Sequence, residues 1–264
     1  MSTEILKRLE LAVEVAREAS KIALKYYGKL ASSDVETKED NSPVTQADLA
    51  IDTYLKKAIL DVFPEDGWLS EETVDDESRL EKSLVWIVDP IDGTKDFIAQ
   101  NDEFCIMIGL VEDGVPRFGV LALPAYDTIY AGGPGYGVEV YSEGEEVGLP
   151  ALDEEGNVLL VSRHHFNEKL SPFIKEENLE ALPCGSVGVK ISFILEGMAN
   201  HYIHLGTIGE WDTAAPQAIF EAMGGYCSLI NGEAIQYNKR EPKTHGFVAS
   251  ADDRFVERAV EYFS

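Results

Sequence analysis

Basic residues are scarce in this chain: 22 lysines and arginines stand against 48 aspartates and glutamates, a formal net charge of −26 over 264 residues. Such a surface repels polyanions, so nucleic-acid polymers and anionic membranes are poor partners. A small phosphorylated substrate would meet the same repulsion unless bound divalent cations and a few placed basic groups reversed the potential locally. The acidic excess fits a salty cytoplasm, although clusters such as Asp75-Asp76-Glu77 read more simply as solvated surface. Cysteine is equally sparse. Cys105, Cys184 and Cys227 are odd in number, far apart and without a Cys-x-x-Cys pair, so neither a disulfide framework nor a zinc site is indicated, and they read as small buried residues. No apolar run reaches the roughly 18 residues of a membrane span, and the start Met1 to Lys7 lacks a signal-peptide core, so a cytoplasmic protein is expected. Internal repeats and low-complexity segments are missing too. The glycine cluster Gly132 to Gly137 neither follows a strand into a helix nor has dinucleotide-binding spacing, and reads as a turn.

What is present is a globular composition, 45% hydrophobic and 9% aromatic, long enough for one large or two moderate domains. The first half, residues 1–150, reads as helices over an antiparallel sheet. Leu6, Leu9, Val13, Ala16, Ser20, Ala23 and Tyr27 recur at helical spacing. Residues 31–42 read as a loop or hairpin. Thr45-x-x-Asp48 is a capping box opening a second helix that Pro64 stops. Residues 105–111 and 118–123 form a hairpin closed by Asp113-Gly114, and 128–131 and 138–141 continue the meander. In the second half, residues 151–264, strands at 158–161, 200–204 and 226–230 alternate with helices at 187–195, 212–223 and 252–263, which predicts a largely parallel α/β unit. The expected class is thus a layered α/β sandwich.

The stretch from Trp86 to Phe97 organises the chemistry. A buried strand over 84–88 should stop where Pro90 biases Asp89 toward extended backbone. Asp89 and Asp92 then bound a four-residue turn whose ends lie within about 7 Å, with the Ile91 carbonyl between them, a site for a hard cation. Gly93 lets the backbone approach a ligand, and the amides of Thr94, Lys95 and Asp96 can open a helix whose start favours a phosphate. Glu71-Glu72 lies upstream and Asp212 downstream at an expected helix start, where it could serve as an N-cap. Glu71, Asp89, Asp92, Asp212 and the Ile91 carbonyl are an all-oxygen set, suited to Mg²⁺ or Mn²⁺ rather than zinc. His201 and His204, read as one strand, point to opposite faces and should not share a metal.

Asp40-Asn-Ser-Pro-Val-Thr-Gln-Ala-Asp48, Ser70-Glu-Glu72, Trp86 to Phe97 and Trp211-Asp-Thr-Ala-Ala215, in that order and spacing, resemble the magnesium-dependent, lithium-sensitive phosphatases related to inositol monophosphatase. The resemblance covers nearly the whole chain. It implies that Glu71, Asp89, Ile91, Asp92 and Asp212 hold two or three Mg²⁺ ions, that Asp48 and Thr94 activate the attacking water, and that Glu72 supports the inner shell. A two-metal site of this kind lowers the pKa of a bridging water and neutralises phosphoryl oxygens, with ions about 4 Å apart, so no protein nucleophile is needed.

Within that family, Asp-Pro-Ile-Asp-Gly-Thr-Lys-Asp-Phe-Ile looks like the branch that hydrolyses 3′(2′),5′-bisphosphate nucleotides, since inositol monophosphatases usually continue Asp-Gly-Thr with Thr-Asn. Val161-Ser-Arg-His-His165 and Gly185-Ser-Val-Gly-Val-Lys190 resemble that branch's nucleotide-contacting elements. The resemblance therefore implies substrate contacts at Gly93, Thr94, Lys95, Ser162, His165, Ser186, Lys190 and Asp212. Three departures stand out: His164 in place of the common serine, a Ser186-to-Lys190 spacing one longer than in many bacterial members, and Pro216 in place of a frequent glycine. The expected reaction is removal of the 3′-phosphate of adenosine 3′,5′-bisphosphate to give AMP, with the sulfated relative as a second substrate and a place in sulfur assimilation. The rival readings are an inositol-1-phosphate or fructose-1,6-bisphosphate phosphatase on the same fold and a non-catalytic nucleotide-binding regulator. Monomer and homodimer both remain open.

Overall fold

The computed structural model describes residues 2–31, 34–38 and 42–264. Part of the motif beginning at Asp40 lies outside the described residues. The long first helix, α1 (Thr3–Tyr26), opens on the Ser2 side chain and buries Leu9, Ala16 and Ala23 of the expected stripe, with Ala12 and Ala19 buried beside them and Leu6, Val13 and Ser20 only half-buried. A short hairpin of β1 (Val35–Thr37) and β2 (Pro43–Thr45) leads into α2 (Gln46–Leu60). The expected capping box is present: Thr45 is the N-cap and Asp48 reaches back to its N–H.

A seven-stranded sheet follows in the order β3 (Gly67–Ser70), β4 (Leu84–Asp92), β5 (Cys105–Glu112), β6 (Val115–Leu123), β7 (Thr128–Gly133), β8 (Gly137–Ser142) and β9 (Glu145–Val147). Only the β3–β4 ladder is parallel; the rest is the predicted meander, turning at Asp113-Gly114 with both residues at positive φ. Between β4 and β5 lies α3 (Thr94–Ala99).

Strand β4 corrects the sequence reading. It does not stop at Asp89 but continues to Asp92, paired with β5 through Asp89↔Met107 and Asp92↔Cys105. Three steps on β4 oppose two on β5, so one extra residue forms a bulge, and Pro90, which has no N–H to give the ladder, is tolerated there. In a regular strand residues three apart face opposite sides. The extra residue restores one side, which is how a strand rather than a free turn brings Asp89 and Asp92 together.

The second sheet has the order β11 (Glu180–Cys184), β10 (Val158–Ser162), β12 (His201–Gly209), β14 (Lys243–Ser250), β13 (Tyr226–Ser228). β10 runs parallel to both β11 and β12, while β14 is antiparallel to β12 and to β13. Helices α4 (Leu170–Glu176) and α7 (Asp253–Phe263) pack through Phe173 and Phe255 on the outer face. On the inner side, α5 (Val187–Leu195) and α6 (Glu210–Ala222) share one core with residues of both sheets, including Leu121, Tyr130, Ile191, Ile219 and Phe247. α6 lies very close to the first sheet because two strand positions lack side chains. A Cβ on Gly119 would come within 2.3 Å of the Ala215 carbonyl, and one on Gly109 within 3.1 Å of Ala214 Cβ. The small residues of Trp211-Asp-Thr-Ala-Ala215 thus admit the helix start to the site, as expected. No helix among the described residues is long and apolar enough to cross a membrane.

Candidate active site and metal centre

Four chain segments converge where β3 and β4 end. The parallel register sets Ser70 beside Val88, and the Glu71 N–H continues the ladder to the Val88 carbonyl at 3.2 Å, which carries Glu71 alongside Asp89. From the helical layer, Asp212 arrives as the third residue of α6. It is not the N-cap: Gly209 holds that place, and Asp212 Oδ2 accepts the Gly209 N–H at 2.6 Å. Asp48 occupies the equivalent third position of α2. A carboxylate at this position caps with one oxygen and leaves the other for neighbours.

Asp89, Asp92 and Asp212 each offer an oxygen within 4.8 Å of the others. Burial, followed by the charges of Glu71, Asp92 and Asp212, pushes the Asp89 pKa well up. Asp212 is pushed well up by burial and by Asp92 and Glu71. Burial raises Asp92 as well, against hydrogen bonds from Ser186 and Gly188 and the charge of Lys190. Three close, mutually repelling carboxylates with hard oxygen donors, Asp89 buried and Asp92 and Asp212 half-buried, fit a divalent cation, which would remove the repulsion and keep all three ionised. Glu71 stands just outside this tight group, yet near enough for its charge to act on both Asp89 and Asp212.

Beside the cluster, Thr94 Oγ1 lies 3.2 Å from Asp48 Oδ1 and 3.1 Å from the Ile91 carbonyl. Asp48 Oδ2 accepts the Thr45 N–H at 2.8 Å and its hydroxyl at 2.5 Å. Burial outweighs these bonds and pushes the Asp48 pKa up to about 6. Gly93 adopts φ 90°, and a Cβ there would strike the Glu103 carbonyl at 2.7 Å, so the turn requires glycine. Of the three amides expected to meet a phosphate, that of Asp96 is spent on the Gly93 carbonyl at 2.9 Å.

A cavity of about 610 Å³ is lined by Glu71, Asp92, Thr94 and Asp212 and also by Lys95, Ser162, His165, Phe166 and His204. Lys95 Nζ and His165 Nε2 face each other at 3.5 Å. Burial, then the charge of Lys95, lowers the His165 pKa. The Ser162 hydroxyl accepts the His165 N–H at 3.1 Å and fixes that loop.

Two further expected substrate contacts, Ser186 and Lys190, lie at the cap and in the first turns of α5. Ser186 is fully buried; it caps α5 and donates its hydroxyl to Asp92. Lys190 is 1% exposed, and its ammonium donates to the Gly185 and Ser186 carbonyls at 2.6 and 3.0 Å. The first turn of α5 faces Asp92, whose Oδ2 also accepts the Gly188 N–H at 3.0 Å, while Lys190 lines the cavity as well. Ser186 bonds Asp92 directly, whereas Lys190 acts on it through its charge.

Other residues escaped the sequence reading. Lys38 Nζ bridges Glu71 and Glu72 at 2.7 Å each, and Glu72, raised by burial and by Glu71 against that lysine, titrates at about 7. Beneath the cavity, Asp96 accepts bonds from Asn101 at 2.6 Å, Arg163 at 2.8 Å and His164 at 3.0 Å, while Arg163 also grips both oxygens of Glu103 at 2.5 and 2.9 Å. Arg163 is therefore consumed by the fold and is not a free cation for substrate. Nothing local to Lys38 or Asp96 in the sequence marks these partners. His201, by contrast, turns away as predicted, stacked on Phe255 at 3.7 Å, while His204 lines the cavity.

The chain as a whole is similar to known proteins. The model of the inositol monophosphatase family matches residues 5–264. The chain belongs to the inositol monophosphatase family. Among family members, the 3′(2′),5′-bisphosphate nucleotidase CysQ of Aggregatibacter actinomycetemcomitans is 33% identical over 239 residues, 88% of each chain. The solved CysQ of Bacteroides thetaiotaomicron, described as a bacterial member of the inositol monophosphatase family, superposes with a TM-score of 0.74 at 30% identity, covering 92% of this chain and 97% of that one. An inositol monophosphatase from Zymomonas mobilis shares the fold over the full chain and 99% of its own, with a TM-score of 0.78 at 23% identity. The family is metal-dependent, and the acidic cluster of this member could hold a metal.

Proposed function

We propose that this chain is a Mg²⁺-dependent phosphatase that hydrolyses the 3′-phosphate of adenosine 3′,5′-bisphosphate to AMP and phosphate, and acts on the sulfated relative as well. The observation that carries the reading is the convergence of Asp89, Asp92 and Asp212 beside the Asp48–Thr94 pair, with Asp92, Asp212 and Thr94 lining one cavity. Support for a nucleotide comes from the CysQ relatives and from Lys95 and His165, which face each other in that cavity, where a second phosphate can lie.

Glu71, Asp89, Asp92, Asp212 and the Ile91 carbonyl would hold the cations, two or three Mg²⁺ with Mn²⁺ as a substitute. Bound there, a divalent ion supplies a more acidic water and a counter-charge for phosphoryl oxygens. The chain's own residues do the rest. Thr94 donates its hydroxyl hydrogen to Asp48 and presents a lone pair to the incoming water, so a proton can leave along the line from water through Thr94 to Asp48. Gly93 and the Thr94 and Lys95 amides lie against the reacting phosphate. Glu72 orders solvent beside Glu71. Ser186, Gly188 and Lys190 keep Asp92 aimed at the cluster.

Hydrolysis of adenosine 3′,5′-bisphosphate in ¹⁸O-labelled water under single-turnover conditions tests this chemistry. One ¹⁸O should enter inorganic phosphate and none AMP, with no phosphorylated protein on the way; a phospho-enzyme would contradict direct attack by water.

A further inference from the structure

Asp52 is buried on α2 and has no place in the chemistry above. It lies four residues after Asp48, so both carboxylates leave the same face of the helix. Asp48 reaches Thr94, whereas Asp52 reaches the segment that carries Glu71 and Glu72. One Asp52 oxygen accepts the Ser70 hydroxyl at 2.5 Å and the other accepts the Thr73 hydroxyl at 2.6 Å. These two hydroxyls bracket Glu71-Glu72. The bracket is tightened by the Glu72 N–H, 3.5 Å from Ser70 Oγ, and by the ladder bond of the Glu71 N–H to Val88. A carboxylate side chain offers one acceptor oxygen to each of two hydroxyls. What this secures is two fixed hydroxyls, one at each end of the two-glutamate segment.

We propose that Asp52 is a positioning residue for the metal centre: by pinning Ser70 and Thr73 to α2 it holds Glu71 turned toward Asp89, Asp92 and Asp212, and the cation affinity of the site depends on it. Helix α2 then sets both flanks of the centre, Thr94 through Asp48 and Glu71 through Asp52. The inference rests on the reading of Glu71 as a metal ligand.

The test is Mn²⁺ binding by the metal-free full chain, read from the electron paramagnetic resonance signal of free Mn²⁺, with the thermal midpoint measured alongside. Asp52→Ala should weaken the affected site by about 10- to 100-fold, the usual cost of losing an outer partner of a ligand. Asp52→Asn, which keeps an acceptor for one hydroxyl and a donor for the other, should stay within about threefold of the native chain, because position and not charge is at stake. Thr73→Val, which removes only one of the two bonds, should shift the Kd in the same direction by less, and serves if the alanine variant does not fold. Native Mn²⁺ affinity in Asp52→Ala, or in Thr73→Val where that variant replaces it, would overturn the proposal whatever the thermal midpoint does. An Asp52→Asn as weak as Asp52→Ala would assign the effect to charge and overturn it too. Glu71→Gln separates the two readings: if it binds natively, Glu71 is no ligand; if it is weakened while Asp52→Ala is not, only the positioning role fails.

Discussion

At Asp89 burial and like charge act together, so the metal-free protein carries a repulsion that a cation relieves. Asp89→Asn keeps the shape and an oxygen to accept the Ile91 N–H, now at 3.0 Å, while removing one charge. Two opposite effects should follow: metal-free Asp89→Asn should be more stable than the native chain by about 1 kcal/mol, roughly 2–4 °C for a chain of this size, yet gain little from Mg²⁺ and lose turnover. Differential scanning with and without Mg²⁺ reads both effects; undiminished activity would overturn the metal assignment. His201 makes the pH prediction. Its Nε2–H donates to the Gly156 carbonyl at 3.1 Å, which leaves Nδ1 to accept the Ser250 hydroxyl at 2.7 Å, and burial lowers its pKa from 6.5 to about 4. The unfolded chain therefore binds the extra proton between those values. The stability associated with neutral His201 is full above about pH 6.5, declines as pH falls toward about 4, and is flat below, a loss on the order of 3 kcal/mol. His201→Gln should flatten that part of the pH profile of unfolding relative to the native chain.

Elements rather than residues explain why the site assembles. The β4 bulge turns Asp89 and Asp92 to one side, the first turns of α2 and α6 deliver Asp48 and Asp212, and α5 backs Asp92. The loop after β10 is tied beneath this layer by Arg163, whose guanidinium joins Asp96 of α3 to Glu103. Arg163→Leu should leave both acids short of a partner, cost about 2–4 kcal/mol in urea unfolding, and raise KM more than it lowers kcat, because the same loop carries His165. Local signals made many elements legible: the Thr45–Asp48 capping box, the Asp113-Gly114 turn, the apolar periodicity of α1 and α5. Strands β11 and β14 were missed because Glu180–Cys184 is an exposed edge and Lys243–Ser250 begins with polar residues; long-range pairing, not propensity, makes them strands. The end of β4 was misplaced because Pro90 signals a stop unless a bulge accommodates it. The carboxylates were legible through ordered motifs resembling a family, whereas Lys38, Asp52, Asp96 and Arg163 act through partners dozens of residues away that no spacing reveals. Ser186 and Lys190, expected from the motif at the substrate, also bear on Asp92, one by a hydrogen bond and the other by its charge, a link the motif alone does not reveal.

For the whole molecule, the charge of −26 sets the terms. Self-repulsion across the surface is screened as the Debye length falls from about 10 Å at 0.1 M salt to about 3 Å at 1 M. The thermal midpoint of the metal-free chain should therefore rise by several degrees between 0.1 and 1 M KCl; a flat or falling midpoint would show that the acidic excess is already balanced in the folded state. The same field opposes any phosphorylated substrate, which concentrates recognition in the few basic and metal-holding positions of one cavity. Lys95 and His165 are the cationic and proton-binding groups facing each other there, and a bisphosphate has a second anion to meet them. The most direct measurement is phosphate release by the purified chain with Mg²⁺ on adenosine 3′,5′-bisphosphate, inositol 1-phosphate and fructose 1,6-bisphosphate at equal concentration. The account predicts kcat/KM for the nucleotide about a hundredfold or more above the other two; an equal or greater rate on inositol 1-phosphate or fructose 1,6-bisphosphate, or no release from any of the three, would contradict it.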